Sequence, residues 1–310
     1  MFVAADSCDC WSEPEIFALE GGHILKESGA PPDYFNPKGQ LWGSPVFNWH
    51  VLKEKDYAWW LDRLERAFYL YDYVRLDHFR GFVAYWETEA GNLPTTGKWV
   101  SGPGYALFKK AYDKFGQLPI IAEDLGKITP GVRLLLKSCG FYGMDVLQFA
   151  NLDPRLYDYN PSAETIAYSG THDNATLVGW CLEGLRKAQA KKTEAIENAS
   201  VEAEEKTEAS VDAEDSTLAE EDFDFKAKVE GEASVSARAE NKTEALVNSE
   251  LELRAKLQAK EMLMKLWNSS APIKIAPLQD LLGLGDEARM NTPGTIAGNW
   301  SWQAKDYKFN

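Results

Sequence analysis

The sequence predicts an α/β fold, with a parallel sheet closed in the manner of a (β/α)8 barrel. Three observations predict it. Short apolar runs alternate with amphipathic helical stretches along the chain. Several runs end on an acidic residue, at the strand ends where barrel chemistry is carried. The chain has 310 residues, 45% of them hydrophobic, which is enough for a sizeable core.

The runs come in a fixed order. Phe2-Val3-Ala4-Ala5 ends in Asp6, 71–76 ends in Asp77, and 118–122 ends in Glu123. Residues 144–149 form a fourth run, 165–169 lead into Gly170-Thr171-His172-Asp173, and 272–276 are the last. Between them, 55–70 sets Trp59, Leu61, Leu64, Phe68 and Leu70 near one helical face. Residues 103–115 and 129–138 carry similar helical patterns.

Residues 187–260 break this alternation. They hold 11 Lys/Arg against 19 Asp/Glu, a net −8 out of −15 for the whole chain. Trp, Tyr, Cys, His and Pro are absent there, and Lys-Thr-Glu-Ala recurs at 192–195, 206–209 and 242–245. Such a segment buries too little to offset the entropy of ordering it, although Ala, Glu and Lys favour helix. It reads as an acidic, low-complexity insertion that is poorly ordered or forms solvated helices. No sustained apolar heptad marks a coiled coil.

The charge speaks against a nucleic-acid backbone or an anionic membrane surface as partner, and for a neutral substrate. No run approaches the roughly 20 apolar residues of a membrane span. The opening Met-Phe-Val-Ala-Ala-Asp-Ser-Cys-Asp-Cys-Trp shows no secretory signal. Four cysteines make no disulfide framework and fit ordinary thiols in a reducing compartment.

In a barrel, Asp77, Glu123 and Asp173 project toward one mouth. Converging carboxylates suit glycosyl transfer. One attacks the anomeric carbon, a second donates and then accepts the proton, and a third steadies an oxocarbenium-like transition state. Arg75, two residues before Asp77 on the same strand face, offers the carboxylate a positive charge. Capping the next helix is the commoner role of such acids, and Asp124 and Asp173 are open to it. A metal centre is the competing use of these groups. His78 and His172 adjoin acids, but no His-x-x-x-His or Cys-x-x-Cys occurs, so no metal ligand is expected. There is no phosphate-binding glycine loop and no Gly-x-Ser-x-Gly elbow.

Residues 29–43 read as one long loop, punctuated by Pro and Gly and carrying aromatics. Aromatic planes stack on sugar faces, and Asp33 and Gln40 can bond hydroxyls. The alternative is a surface loop whose aromatics tuck into the core.

Several motifs in order resemble the 4-α-glucanotransferases, the amylomaltase or disproportionating-enzyme family of glycoside hydrolases. They are Asp6-Ser7-x-Asp9-x-Trp11, Pro31-Pro32-Asp33-Tyr34-Phe35, Gly39-Gln40-x-Trp42-Gly43 and Arg75-x-Asp77-His78-Phe79-Arg80-Gly81. Ala122-Glu123-Asp124-Leu125-Gly126, Val146-Leu147-Gln148-Phe149-Ala150 and Gly170-Thr171-His172-Asp173-Asn174 follow. Glu287-Ala288-Arg289-Met290-Asn291-x-Pro293-Gly294 closes the series. The resemblance implies Asp77 as nucleophile, Glu123 as acid/base and Asp173 as transition-state stabiliser, with Arg75 and His172 in support. It implies that Asp33, Gln40, Trp42 and Asn291 bind sugar.

The implied reaction moves an α-1,4-glucan segment to the 4-hydroxyl of a glucan or glucose, with retention and without a cofactor. The compartment is expected to be cytoplasm or plastid stroma. The implied fold is a partial TIM barrel, roughly strands three to eight. Residues 1–186 form its first block and 261–310 its last, with 187–260 inserted between strands seven and eight. The family carries further chain ahead of the position of Met1, so the first two strands are expected to be absent. A non-catalytic relative that only binds α-glucan, or a split enzyme completed by a second chain, is the alternative. Gln303 stands where the family has arginine after Asn-Trp-x-Trp.

Overall fold

The computed structural model describes residues 1–32, 36–150, 159, 161–208, 229–295 and 297–305. The fold is α/β. The chain divides into two compact units. One comprises Met1–Asp145, Pro161–Ile166 and Ser270–Ile273, the other Val146–Asn160, Ala167–Ser269 and Lys274–Asn310.

The first unit opens with α1 (Cys8–Ser12), whose cap Ser7 accepts from the Cys10 N–H. A small hairpin follows, β1 (Leu19–Glu20) against β2 (His23–Ile24). Next come β3 (Lys26–Ala30) and β4 (Gln40–Pro45). With β6 (Ala84–Glu89) and β7 (Lys98–Ser101) they make an antiparallel sheet in the order β4-β3-β6-β7. Residues 29–43 are therefore not one long loop, because both ends are paired strand. Gly29 makes the pairing possible: a Cβ there would fall 2.0 Å from the Gln40 carbonyl oxygen. Gly and Pro masked the period-two signal.

Helix α2 (Trp49–Glu54) is capped by the Asn48 side chain, which accepts from the Val51 N–H. Helix α3 (Ala58–Leu70) starts later than the sequence predicts, because Asp56 and Tyr57 are left-handed, at φ 53° and 58°, and separate the two helices. Strand β5 (Val74–Leu76), helix α4 (Tyr105–Phe115), strand β8 (Ile120–Ala122), helix α5 (Pro130–Cys139) and strand β9 (Gly143–Val146) follow the predicted alternation. Helix α5 has Pro at its first turn and ends on left-handed Gly140. Strands β5 and β8 are parallel, in register Val74↔Ile120, Arg75↔Ile121 and Leu76↔Ala122.

Residues 2–5 form no strand. Their apolar pattern is met by burial instead, with Val3 at 7% exposure and the Phe2 ring stacked on Phe47. The core of this unit is aromatic. Phe79, Phe82 and Phe108 are fully buried, and the Phe82–Phe108 and Phe108–Phe141 ring centres lie 5.1 Å apart.

In the second unit the end of β10 (Thr165–Tyr168) pairs in parallel with β11 (Lys274–Ile275), followed by α8 (Leu278–Leu281). Two long helices dominate it, α6 (Leu177–Glu208) and α7 (Val229–Asn268). The acidic stretch 187–260 thus lies within helices and the chain between them, and its ends fall inside α6 and α7. The N-terminal turns of α6 meet the C-terminal turns of α7. Leu177, Val178 and Cys181 pack with Ala255, Ala259 and Met262. Leu251 is buried too, while Leu246 and Leu253 are exposed. Among the described residues the seam therefore reaches back to about 251, inside the acidic stretch.

That boundary is measurable. Met262 is fully buried, so Met262→Ala should cost about 2–5 kcal/mol of unfolding free energy. Leu246 is 64% exposed, so Leu246→Ala should stay within about 0.5 kcal/mol of the parent in the same denaturant titration.

Candidate active site

Strand β5 ends at Leu76 and its neighbour β8 at Ala122, so Asp77 and Glu123 are the next residues at matching positions. The Glu123 N–H donates to the Leu76 carbonyl (3.0 Å), and the Phe79 N–H donates to the Glu123 carbonyl (3.1 Å). These bonds carry the pairing past the strand ends. Adjacent strands lie about 4.8 Å apart, so both acids leave the same edge.

Their surroundings differ. The Asp77 carboxylate is 63% exposed and accepts from Arg75 Nη2 at 2.8 Å. Glu123 is partly buried. Its Oε2 accepts from the His78 N–H (2.7 Å) and its Oε1 from the Leu125 N–H (3.0 Å). Burial raises its pKa from 4.5 to about 7, and the Asp77 charge adds to the rise. The two backbone donors oppose this, because they favour the ionised form.

His78 follows Asp77 directly and bonds Glu123 through its N–H. It is left-handed at φ 51°, which turns the chain sharply after Asp77. Burial lowers its pKa to about 4, so it is neutral at pH 7. Its Nε2 is buried with no hydrogen-bond partner among the described residues. The Trp42 ring meets it edge-on at 4.8 Å. Trp42 and Gln40 both lie on β4, and Trp42 Nε1 donates to Gln40 Oε1 at 3.1 Å. Asp33 lies outside the described residues.

The second unit holds His172, Asp173 and Asn291. Asn291 Nδ2 donates to Asp173 Oδ1 at 2.6 Å, and the Asn291 N–H donates to the His172 carbonyl at 3.1 Å. His172 Nε2 lies 3.4 Å from Asp173 Oδ2, and its ring faces Trp300 at 5.2 Å. Asn291, expected to touch sugar, here spends its amide on Asp173. Among the described residues Asp173 caps no helix. The start of α6 is served by Asp280, accepting from the Leu177 N–H (2.7 Å), and Asp286, accepting from the Thr176 N–H (2.8 Å). Asp124, the other acid open to a capping role, accepts from the Met144 N–H at 2.7 Å and so ties the end of β8 to β9.

Arg289 is a residue whose part the sequence reading did not assign. It lies within the Glu-Ala-Arg-Met-Asn motif, which was the available signal. Among the described residues no group of three His, Cys, Asp or Glu is arranged to hold a metal ion.

Two unlike carboxyl groups thus stand at the adjacent ends of two parallel strands in an α/β chain. The family model described as glycoside hydrolase 77, 4-alpha-glucanotransferase, matches residues 1–308. The chain belongs to that family. It is 35% identical to a 4-alpha-glucanotransferase of Clostridium butyricum, covering 100% of this chain and 54% of the relative. It is 37% identical to one of Thermus thermophilus, covering 98% of this chain and 52% of that protein. Among solved structures, an amylomaltase from Streptococcus agalactiae in complex with acarbose superposes with a TM-score of 0.73 at 32% identity, over 99% of this chain and 52% of that one. The chain thus spans about half the length of the relatives it matches. No described helix is long and apolar enough to cross a membrane.

The pKa of Glu123 sets a stability profile. The unfolded chain releases this proton near pH 4.5, while the folded chain keeps it to about pH 7. Between those values the folded state binds more protons, so stability falls as pH rises through the window, by roughly 3 kcal/mol from this group. Glu123→Gln removes that loss. It should match the parent near pH 4.5 and exceed it at pH 8 in denaturant titrations at both values. Parallel pH profiles for the two proteins would show that Glu123 titrates normally.

Proposed function

We propose that this chain carries 4-α-glucanotransferase chemistry, with α-1,4-glucans or maltooligosaccharides as donors and glucose or a glucan as acceptor. The observation that carries it is the pair at the ends of β5 and β8: an exposed, arginine-paired carboxylate beside a buried carboxyl that titrates about pH 7. The exposed group has the properties of a nucleophile and the buried one those of a general acid.

In the first step an Asp77 oxygen bonds to the anomeric carbon as the glycosidic C–O bond breaks. Glu123 gives its proton to the departing 4-oxygen. In the second step the ionised Glu123 takes the proton of an acceptor 4-hydroxyl. That oxygen attacks the anomeric carbon and displaces Asp77. Two inversions give retention, which calls for carboxyl groups about 5–5.5 Å apart. Asp173 is assigned to steady the oxocarbenium-like state, with His172 beside it. That assignment rests on its motif and on the hydrogen bonds that hold it. Arg75 neutralises charge at Asp77 before attack. Asp33, Gln40, Trp42 and Asn291 are assigned to sugar binding by the same family resemblance.

The partial barrel, roughly strands three to eight, is part of this reading. The parallel pairings of β5 with β8 and of β10 with β11 support it. A second chain supplying the other strands is the protein partner of the split-enzyme alternative. Cytoplasm, or plastid stroma, is the proposed compartment. An Arabidopsis thaliana relative named chloroplastic/amyloplastic, 35% identical over 98% of this chain and 44% of its own length, supports the second.

Maltotriose disproportionation by this chain tests the proposal. Asp77→Asn should lower transfer by several orders of magnitude. Glu123→Gln should do the same on maltotriose, but recover partly on a glucoside whose leaving group needs no proton. Transfer at the parental rate by Asp77→Asn, or no transfer by the parent chain, overturns the proposal.

A further inference from the structure

Asp173 sits 45% exposed just past β10, in a segment with no regular structure. Segments of this kind are mobile unless tied down. What ties this one is a closed ring of hydrogen bonds whose centre is Arg289. Arg289 Nη2 donates to the Asp173 main-chain carbonyl at 2.7 Å, and its Nε donates to the Asn291 carbonyl at 2.8 Å. Asn291 then returns its N–H to the His172 carbonyl and its side-chain amide to the Asp173 carboxylate. The two chain segments are far apart in sequence and joined by the guanidinium together with the two Asn291 bonds.

We propose that Arg289 is the positioning residue of Asp173: its planar fork joins the Asp173 and Asn291 main chains, so that the Asn291 amide holds the Asp173 carboxylate in one orientation. This rests on the reading of Asp173 as part of the transfer machinery. Arginine is required for a geometric reason. Nε and Nη2 lie on one edge of a rigid plane and reach two carbonyls at once, whereas a lysine ammonium is a point donor on a flexible stem. The clamp also leaves Asp173's second carboxylate oxygen free of Asn291 and turned toward His172. Arg289 itself borders a cleft of about 780 Å³ shared with Glu287, Asn299 and Trp302, so a small cation has access to its position.

Two readouts test this in the full chain. The first is independent of activity. In Arg289→Lys the Asn291 amide, which donates to His172, should exchange with solvent at least about tenfold faster, while the amides of α6 keep their protection. Unchanged protection of Asn291 overturns the clamp. The second uses transfer. Arg289→Lys should lower kcat by about 10–100-fold, the pattern of a misplaced group. In Arg289→Ala, sub-denaturing guanidinium chloride should restore part of kcat, and ammonium chloride at the same ionic strength should not. Parental kcat in Arg289→Lys, or equal restoration by ammonium, overturns the proposal. If Arg289→Ala does not fold, the lysine variant carries both readouts. A parent chain without transfer would refute the functional reading alone, and Asn291 exchange would still decide the clamp.

Discussion

Three residues of parallel ladder, Val74 to Leu76 against Ile120 to Ala122, hold Asp77 and Glu123 at one level. A slip of one residue in this register would send one of the acids to the opposite face of the sheet. The surrounding packing prevents the slip. Ile120, Ile121 and Ala122 are all buried, so β8 has no face that can turn to water. Two residues beyond Asp77, fully buried Phe79 enters the aromatic cluster with Phe82, Phe108 and Phe141. The cluster is therefore the foundation of the acid pair. It anchors the chain immediately after the exposed carboxylate, which needs a fixed origin because its side chain stands in solvent.

Two groups of the same chemical type acquire opposite properties from that arrangement. Asp77 is shorter by one methylene, stands exposed and faces Arg75, so its charge is compensated by a neighbour and by water. Glu123 folds back toward the protein and meets two backbone N–H groups. Those donors alone would favour the anion. Burial outweighs them, and the nearby Asp77 charge adds to the imbalance. The same two donors also fix the direction of the carboxyl, so orientation and acidity are set separately. Neutral His78 completes the separation. It supplies a main-chain donor to Glu123 without adding a cation that would pull the carboxyl back toward ionisation.

What was legible in the sequence follows the strength of local signals. Apolar runs ending in acids marked β5 and β8, and the helical periodicities marked α4 and α5. Short antiparallel strands were not legible. β3 is interrupted by Gly29, which the close pairing at Gln40 demands, and β4 by Gly43 at φ 68°, and such glycines read as loop. The run at 2–5 met the burial expectation without the strand expectation, because apolar patterning reports a buried environment and not a hydrogen-bond partner. Family motifs marked Asp173 and Asn291 but not their bond to each other, nor the part of Arg289. Those depend on a contact across more than a hundred residues, and no local pattern encodes it.

The acidic stretch lies partly in α6 and α7, and the base of these two helices is where it meets packed chain. An acidic, alanine-rich stretch has too little apolar surface to fold by itself, and among the described residues its seam with α6 lies at the end near 251–259. That base is over-determined. Thr176, Leu177 and Gly179 at the start of α6 have their N–H groups taken by Asp286, Asp280 and the Thr176 hydroxyl. Ser169 also donates to Asp280 at 2.6 Å, and burial raises the pKa of that carboxyl. The acids near a helix N-terminus are favoured by its dipole as well as by the hydrogen bonds. Gly179 fits because any Cβ there would collide with the Asp286 carboxylate. Once the base of the hairpin is held this firmly, the entropy of closing the connection grows only slowly with its length. Long, repetitive chain can then accumulate between 187 and 250 with little effect on the packed turns beneath it.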